Sequence, residues 1–136
     1  LILNGDIFTN LSIPYFAKFH KENNHQFTIS AVKLNNPTRF GILEIDSQNY
    51  ITQFIEKSPS AKNTFINSGV YIANTKTLYN DLANLKYKKF SIEKDFFEGN
   101  KNLNAFKNES YFIDIGVEED YKRGQVEIPS MLFNIL

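Results

Sequence analysis

The sequence predicts an α/β fold, a mixed β-sheet flanked by helices, and three observations carry that expectation. Runs of strand length rich in β-branched and aromatic residues alternate along the chain with segments of helical periodicity. Two of the strand-like runs flank a short polar turn and so form a hairpin, which makes the sheet mixed rather than all parallel. The chain has 136 residues, 42% of them hydrophobic, enough apolar material for one core and too little for two.

The elements follow in order. "LIL" reads as a short buried strand, and "NGD" after it as a turn in which Gly5 is free to take a positive φ. Asp6 then stands at the strand's C-terminal edge. Ser12 is placed to cap a helix and Pro14 suits its first turn, with Phe16, Ala17, Phe19 and His20 as its apolar-leaning face and Asn23 and Asn24 at its end. "QFTISAVKL" alternates Phe27, Ile29 and Ala31 with Thr28 and Ser30 and predicts a strand. In "FGILEIDSQNYITQFIEK", strands over residues 42–45 and 50–55 flank the polar turn 46–49. "TFINSGVYIAN" is the next strand. Leu78, Leu82 and Leu85 fall at helical spacing, and "SIEKDFFEG" predicts a short helix with Ser91 as its cap and Gly99 as its stop. "NAFKNESYFIDIG" holds two short strands around a polar turn, and from Glu118 the pattern is helical until Pro129.

Charge and composition exclude several functions. Lys plus Arg and Asp plus Glu number 15 each, so no net field draws the protein to nucleic acid or to an anionic membrane. There is no cysteine, which excludes a disulfide framework and thiolate zinc sites and fits a cytoplasmic location. No run approaches the roughly 20 apolar residues that span a bilayer, and the opening lacks the basic region and cleavage site of a secretory signal. Gly-x-Ser-x-Gly, Cys/His and His-Glu-x-x-His arrangements are missing, which removes the commonest hydrolase readings. His20 and His25 lack ligand-type spacing and are taken as structural.

In an open α/β sheet, ligands bind beyond the carboxyl ends of the strands, so polar residues directly after apolar runs are the first candidates. Asp6 follows "LILNG", and Asp114 lies among apolar neighbours in "YFIDIGVEEDY". A carboxylate in such surroundings is costly unless it is paired or coordinates a cation. Two of them on neighbouring strand ends would suit Mg²⁺, which commonly uses one or two carboxylates plus substrate phosphates. Taken alone, each aspartate more often has a structural role, Asp6 capping the next helix or turn and Asp114 pairing with a lysine. Glu56 and Lys57 in "FIEKS" are either a hydroxyl acceptor with a phosphate partner or a solvated strand-end pair. Asn67 and Gly69 in "INSGVY" offer an amide and a close backbone approach to a ligand, or else mark a bulge. Gly41 in "RFG" poses the same choice.

Read in order, "LNGD", "RFG", "FIEKS", "INSGVYI", "SIEKDF" and "YFIDIGVEEDYKRGQ" together resemble the sugar-phosphate nucleotidyltransferases, which make nucleotide sugars. The resemblance runs nearest to the guanylyltransferases acting on mannose 1-phosphate and on D-glycero-α-D-manno-heptose 1-phosphate, with "EKS" in place of "EKP" pointing to the heptose branch. It covers residues 1–136 but only the C-terminal portion of the family's domain. The glycine-rich loop of the type G-G-x-G-T-R-L that wraps the nucleoside triphosphate has no counterpart among the six glycines here.

The resemblance implies a Rossmann-like mixed sheet, truncated at its N-terminus. It implies attack by a sugar 1-phosphate on the α-phosphorus of a nucleoside triphosphate, GTP favoured, with release of pyrophosphate. Asp6 and Asp114 would be metal-binding and, with Lys57, catalytic. Glu56 would bind sugar hydroxyls and Lys57 the sugar phosphate, while Gly41, Asn67 and Gly69 would line the sugar pocket. The expected cofactor is Mg²⁺. The chain alone is expected to be inactive and, with strand edges exposed by truncation, to form homo-oligomers. The alternatives are a non-catalytic sugar-phosphate-binding or subunit-interaction module and, less favoured, a metal-dependent glycosyltransferase, whose Asp-x-Asp motif "NGDIF" does not supply.

Overall fold

The computed structural model describes residues 1–55, 62–83, 91–97, 100 and 102–133. Its strands are β1 (Ile2–Leu3), β2 (Ile7–Thr9), β3 (Phe27–Leu34), β4 (Ile42–Ile45), β5 (Ile51–Ile55), β6 (Thr64–Ala73), β7 (Leu103–Asn108) and β8 (Phe112–Asp114). Its helices are α1 (Ile13–Glu22), α2 (Thr75–Ala83) and α3 (Glu118–Phe133), and Ile92–Phe97 winds as a short π-helical segment.

The mixed sheet has the order β5-β4-β6-β3-β7, with β1 added antiparallel to β6. β3 runs antiparallel to β6 and parallel to β7. β2 and β8 form a separate antiparallel pair. The sheet curls: the Asn49 carbonyl at the hairpin turn accepts the Ala105 N–H at 2.8 Å, joining opposite ends of the strand order. The Asn49 φ of 68° supplies the left-handed residue that this turn needs.

Strand alternation sorts the core into two layers. Phe27, Ile29 and Ala31 of β3, Tyr71 of β6 and Leu103 and Ala105 of β7 pack with Leu43, Ile51 and Phe54 of the hairpin and with Phe96 and Phe97. Val70 and Phe106 face the other way and pack with Leu11 and with Phe16 of α1. Thr28 and Ser30, the polar half of the β3 alternation, are as buried as the apolar half. Their hydroxyls are satisfied: Asn108 Nδ2 donates to Ser30 Oγ at 3.0 Å, and Thr28 Oγ1 bonds His20 Nδ1 at 2.7 Å, tying α1 to the sheet.

Several expectations need correction. Leu1 and Leu3 are 59% and 52% exposed, because among the described residues β1 pairs with β6 alone and just Ile2 reaches the core. Gly5 does not take a positive φ; among described glycines Gly69 does. β2 was not foreseen, since three residues carry too little periodicity to register. Both strands of "NAFKNESYFIDIG" are present around their polar turn, and they join different sheets: β7 the main sheet, β8 the pair with β2. α3 continues through Pro129. Proline removes one backbone donor there, and Ser130 Oγ donates to the Val126 carbonyl at 3.0 Å within the same turn. Ser91 does cap its segment, accepting the Lys94 N–H at 3.3 Å, but the turn is π-helical. Leu85, Gly99, Glu56 and Lys57 lie outside the described residues.

Candidate functional site

The site exists because β6 is paired unevenly. Along one edge it is paired with β3. On the other, β4 takes Phe65 and Ile66, and β1 takes Val70 and Tyr71. Asn67, Ser68 and Gly69 fall in the interval between those two partners. While β3 advances from Ile29 to Ala31, β6 runs from Tyr71 to Asn67, so the surplus residues bulge. Ser68 Oγ pins the bulge by donating to the Ser30 carbonyl at 2.9 Å. The rims of the interval are closed by backbone: Asn67 N–H donates to the Gly41 carbonyl and Asn4 N–H to the Gly69 carbonyl, both at 2.9 Å. A cleft of about 200 Å³ opens here, with Asp6, Gly41, Asn67, Gly69, Glu93 and Asp114 in its wall.

Asp6 and Asp114, 108 positions apart by their numbering, meet through the small β2–β8 pair. Asp114 stands opposite Ile7, and the Ile115 N–H donates to the Asp6 carbonyl at 2.8 Å. Gly116 shows how their carboxylates converge. A Cβ built on it would lie 3.0 Å from Asp114 Oδ1 and 3.1 Å from Asp6 Oδ2. Two carboxylate oxygens therefore lie about 3 Å from one point, and a side chain there would crowd them. Hard oxygen donors of this kind fit Mg²⁺, and a set of two leaves coordination positions for phosphate oxygens and water. Among the described residues no group of three or more His, Cys, Asp or Glu side chains gathers around such a point.

The other predicted residues in the described part shape the cleft through contacts within the protein. Gly69 adopts φ 72°, and a Cβ there would sit 2.8 Å from Asn4 Nδ2, so the close approach it permits is that of Asn4. At Gly41 a Cβ would come within 2.6 Å of Phe54 Cζ in the core. Asn67, 5% exposed, uses its amide on protein: Nδ2 donates to the Tyr71 hydroxyl and to Glu93 Oε1, each at 2.9 Å, and Oδ1 accepts the Gly69 N–H at 3.0 Å. Burial pushes the Tyr71 hydroxyl up to about 12, the Glu93 charge adds to the rise, and bonds from Asn67 and Asn4 oppose it.

Sequence reasoning assigned no role to Asn4, Arg39, Glu93 or Asp120. All four lie inside the motifs "LNGD", "RFG", "SIEKDF" and "YFIDIGVEEDYKRGQ", so a signal for them was present. Arg39, at the cleft wall, donates to Asp120 Oδ2, and Arg123 Nη2 donates to Oδ1 of the same carboxylate at 2.8 Å. This ties the loop before β4 to α3. Phe40 stacks edge-on against Phe112, ring centres 5.3 Å apart, and reinforces the link.

Comparison with known proteins bears on the same chain. The family model described as "Nucleotidyl transferase" matches residues 1–130. A mannose-1-phosphate guanyltransferase of Debaryomyces hansenii is 34% identical over 130 residues, covering 92% of this chain and 35% of that protein. A glucose-1-phosphate adenylyltransferase of Lachnospira eligens is 31% identical, covering 99% of this chain and 34% of that protein. Among solved structures, HddC from Yersinia pseudotuberculosis complexed with GMP-PN superposes with a TM-score of 0.73 at 32% identity, covering 89% of this chain and 51% of that one. The chain thus spans about a third of the length of these two curated relatives and about half of that solved structure. On the match of the family model to nearly its whole length, the chain belongs to the nucleotidyl transferase family.

Proposed function

We propose that the chain is the sugar-phosphate and metal-binding part, the C-terminal portion of the nucleotidyltransferase domain, of an enzyme that joins a sugar 1-phosphate to a nucleoside triphosphate and releases pyrophosphate. The observation that carries the reading is the convergence of Asp6 and Asp114 on the space left by Gly116, in the wall of a cleft. GTP as the nucleotide is supported by the guanyltransferase names of several relatives. A mannose or heptose 1-phosphate as the sugar is supported by those names and by the "EKS" motif.

The reaction brings two anions together, so the protein must cancel charge and fix geometry. Asp6 and Asp114 would hold Mg²⁺, which when bound supplies positive charge to phosphoryl oxygens. Lys57 would neutralise the incoming sugar phosphate and Glu56 would accept sugar hydroxyls. Gly41 and Gly69 shape the floor, and Gly116 keeps the space between the carboxylates clear. No residue is needed as a nucleophile, because the sugar phosphate supplies the attacking oxygen.

The test is pyrophosphate release from GTP by the full-length protein, with a panel of mannose, glucose and heptose 1-phosphates and Mg²⁺. Metal-dependent release is expected, falling by about 100-fold or more in Asp6→Asn and in Asp114→Asn, the loss of several kcal/mol of charge stabilisation. A folded full-length protein that binds these sugar phosphates yet releases no pyrophosphate would make it a non-catalytic binding module instead.

A further inference from the structure

We propose that Glu93 accepts a hydrogen bond from a hydroxyl of the sugar 1-phosphate in this cleft, and that Asn67 and Tyr71 hold its carboxylate in position for that contact. The inference rests on the sugar-phosphate reading above and adds the residue that selects the sugar.

Asn67 is fully committed within the protein. Its two amide hydrogens go to Glu93 Oε1 and to the Tyr71 hydroxyl, and its oxygen takes the Gly69 N–H. Turning the amide over would set its oxygen against the Glu93 carboxylate and a donor against the Gly69 N–H, so one orientation is enforced. Asn67 therefore has no donor to spare for a ligand. It is a positioning residue, resting on a tyrosine with no exposed surface. What this arrangement presents to the cleft is the half-buried Glu93, carried on the π-helical segment Ile92–Phe97 and anchored beneath by Phe96 and Phe97 in the core.

Chemistry then limits the partner. A carboxylate only accepts, with room for about four hydrogen bonds. A phosphate oxygen beside it would be repelled, whereas a sugar hydroxyl is a neutral donor whose bond to a charged acceptor is among the stronger kinds. A site built around such a bond discriminates sharply against a ligand lacking the hydroxyl. Glu93 is thus expected to set which sugar is accepted.

Calorimetry on the full-length protein tests this with mannose, glucose and heptose 1-phosphates as probes. Removing a negative charge favours an anionic ligand by Coulomb's law, so a purely electrostatic role predicts equal or tighter binding in Glu93→Gln. The proposal predicts the opposite sign, binding weaker by about tenfold. Glu93→Asp, which keeps the charge but withdraws it by one methylene, should weaken binding as well, and it serves if the glutamine variant does not fold. Deoxy analogues need no variant: one of them should bind wild type about tenfold more weakly than its parent sugar, and should lose nothing further in Glu93→Gln. Wild-type binding that both folded variants retain would overturn the Glu93 role alone. Failure of wild type to bind any of the sugar 1-phosphates would overturn the functional reading, and this inference with it.

Discussion

Two glycines are required by what lies against them, and they lead to opposite predictions. Gly69→Ala places a methyl group 2.8 Å from Asn4 Nδ2 at a φ of 72°. The left-handed backbone and the displaced neighbour should together lower stability by about 1–3 kcal/mol. Urea denaturation would show this against Gly5→Ala, where a Cβ meets nothing within 4 Å and the change should stay within about 0.5 kcal/mol. Gly116→Ala instead inserts a methyl group between two carboxylates, 3.0 and 3.1 Å from their oxygens. It should abolish divalent-cation binding while the protein stays folded, checked by manganese titration alongside circular dichroism. That Asp6 and Asp114 stand at strand ends was readable in the sequence, because a carboxylate at the close of an apolar run is conspicuous. The closed amide network of Asn67 was not, because it depends on how far β6 bulges against β3, a property of two strands and of no local run.

At the level of elements, α1 is held to the sheet by Phe16 and by the bond between His20 Nδ1 and Thr28 Oγ1. Burial, chiefly, lowers the His20 pKa from 6.5, with the nearby His25 and N-terminus adding to the effect; burial lowers His25 as well. A lowered histidine pKa means that the unfolded chain binds protons more readily than the folded one. The stabilising contribution is therefore complete above about pH 6.5 and is lost as pH falls below it. The urea midpoint should fall between pH 7 and pH 5, and the fall should be smaller in His20→Gln; an identical pH dependence in that variant would exclude His20. The β4–β5 hairpin and the long strand β6 were readable from turn chemistry and β-branched content. The alternation in β3 was readable too, but not the burial of both its faces. Thr28 and Ser30 look like a solvent face until α1, Asn108 and Ser68 are folded over them. Pro129 misled for a related reason: on an exposed helix one lost backbone donor is tolerable.

For the molecule as a whole, the fold class followed from the order of strands and helices, and the family from motifs scattered along the chain. The placement of "LNGD", "RFG" and "INSGVYI" around one cleft did not, since it requires β1 and β4 to share an edge of β6. β1 leaves Leu1 and Leu3 exposed and among the described residues pairs on one side only, and an apolar edge of this kind invites strand-to-strand association. The 136-residue chain should associate in light scattering, and Leu3→Lys should shift it toward monomer; a wild-type monomer at all concentrations would reject the edge as an interface. The central claim is that Asp6 and Asp114 grip one divalent cation between them. Electron paramagnetic resonance of added Mn²⁺, in the presence of a sugar 1-phosphate, measures it most directly. One ion bound per wild-type chain, with binding lost in Asp6→Asn and separately in Asp114→Asn, is the predicted result; a wild type that binds no ion, or binding unchanged in either variant, would contradict it.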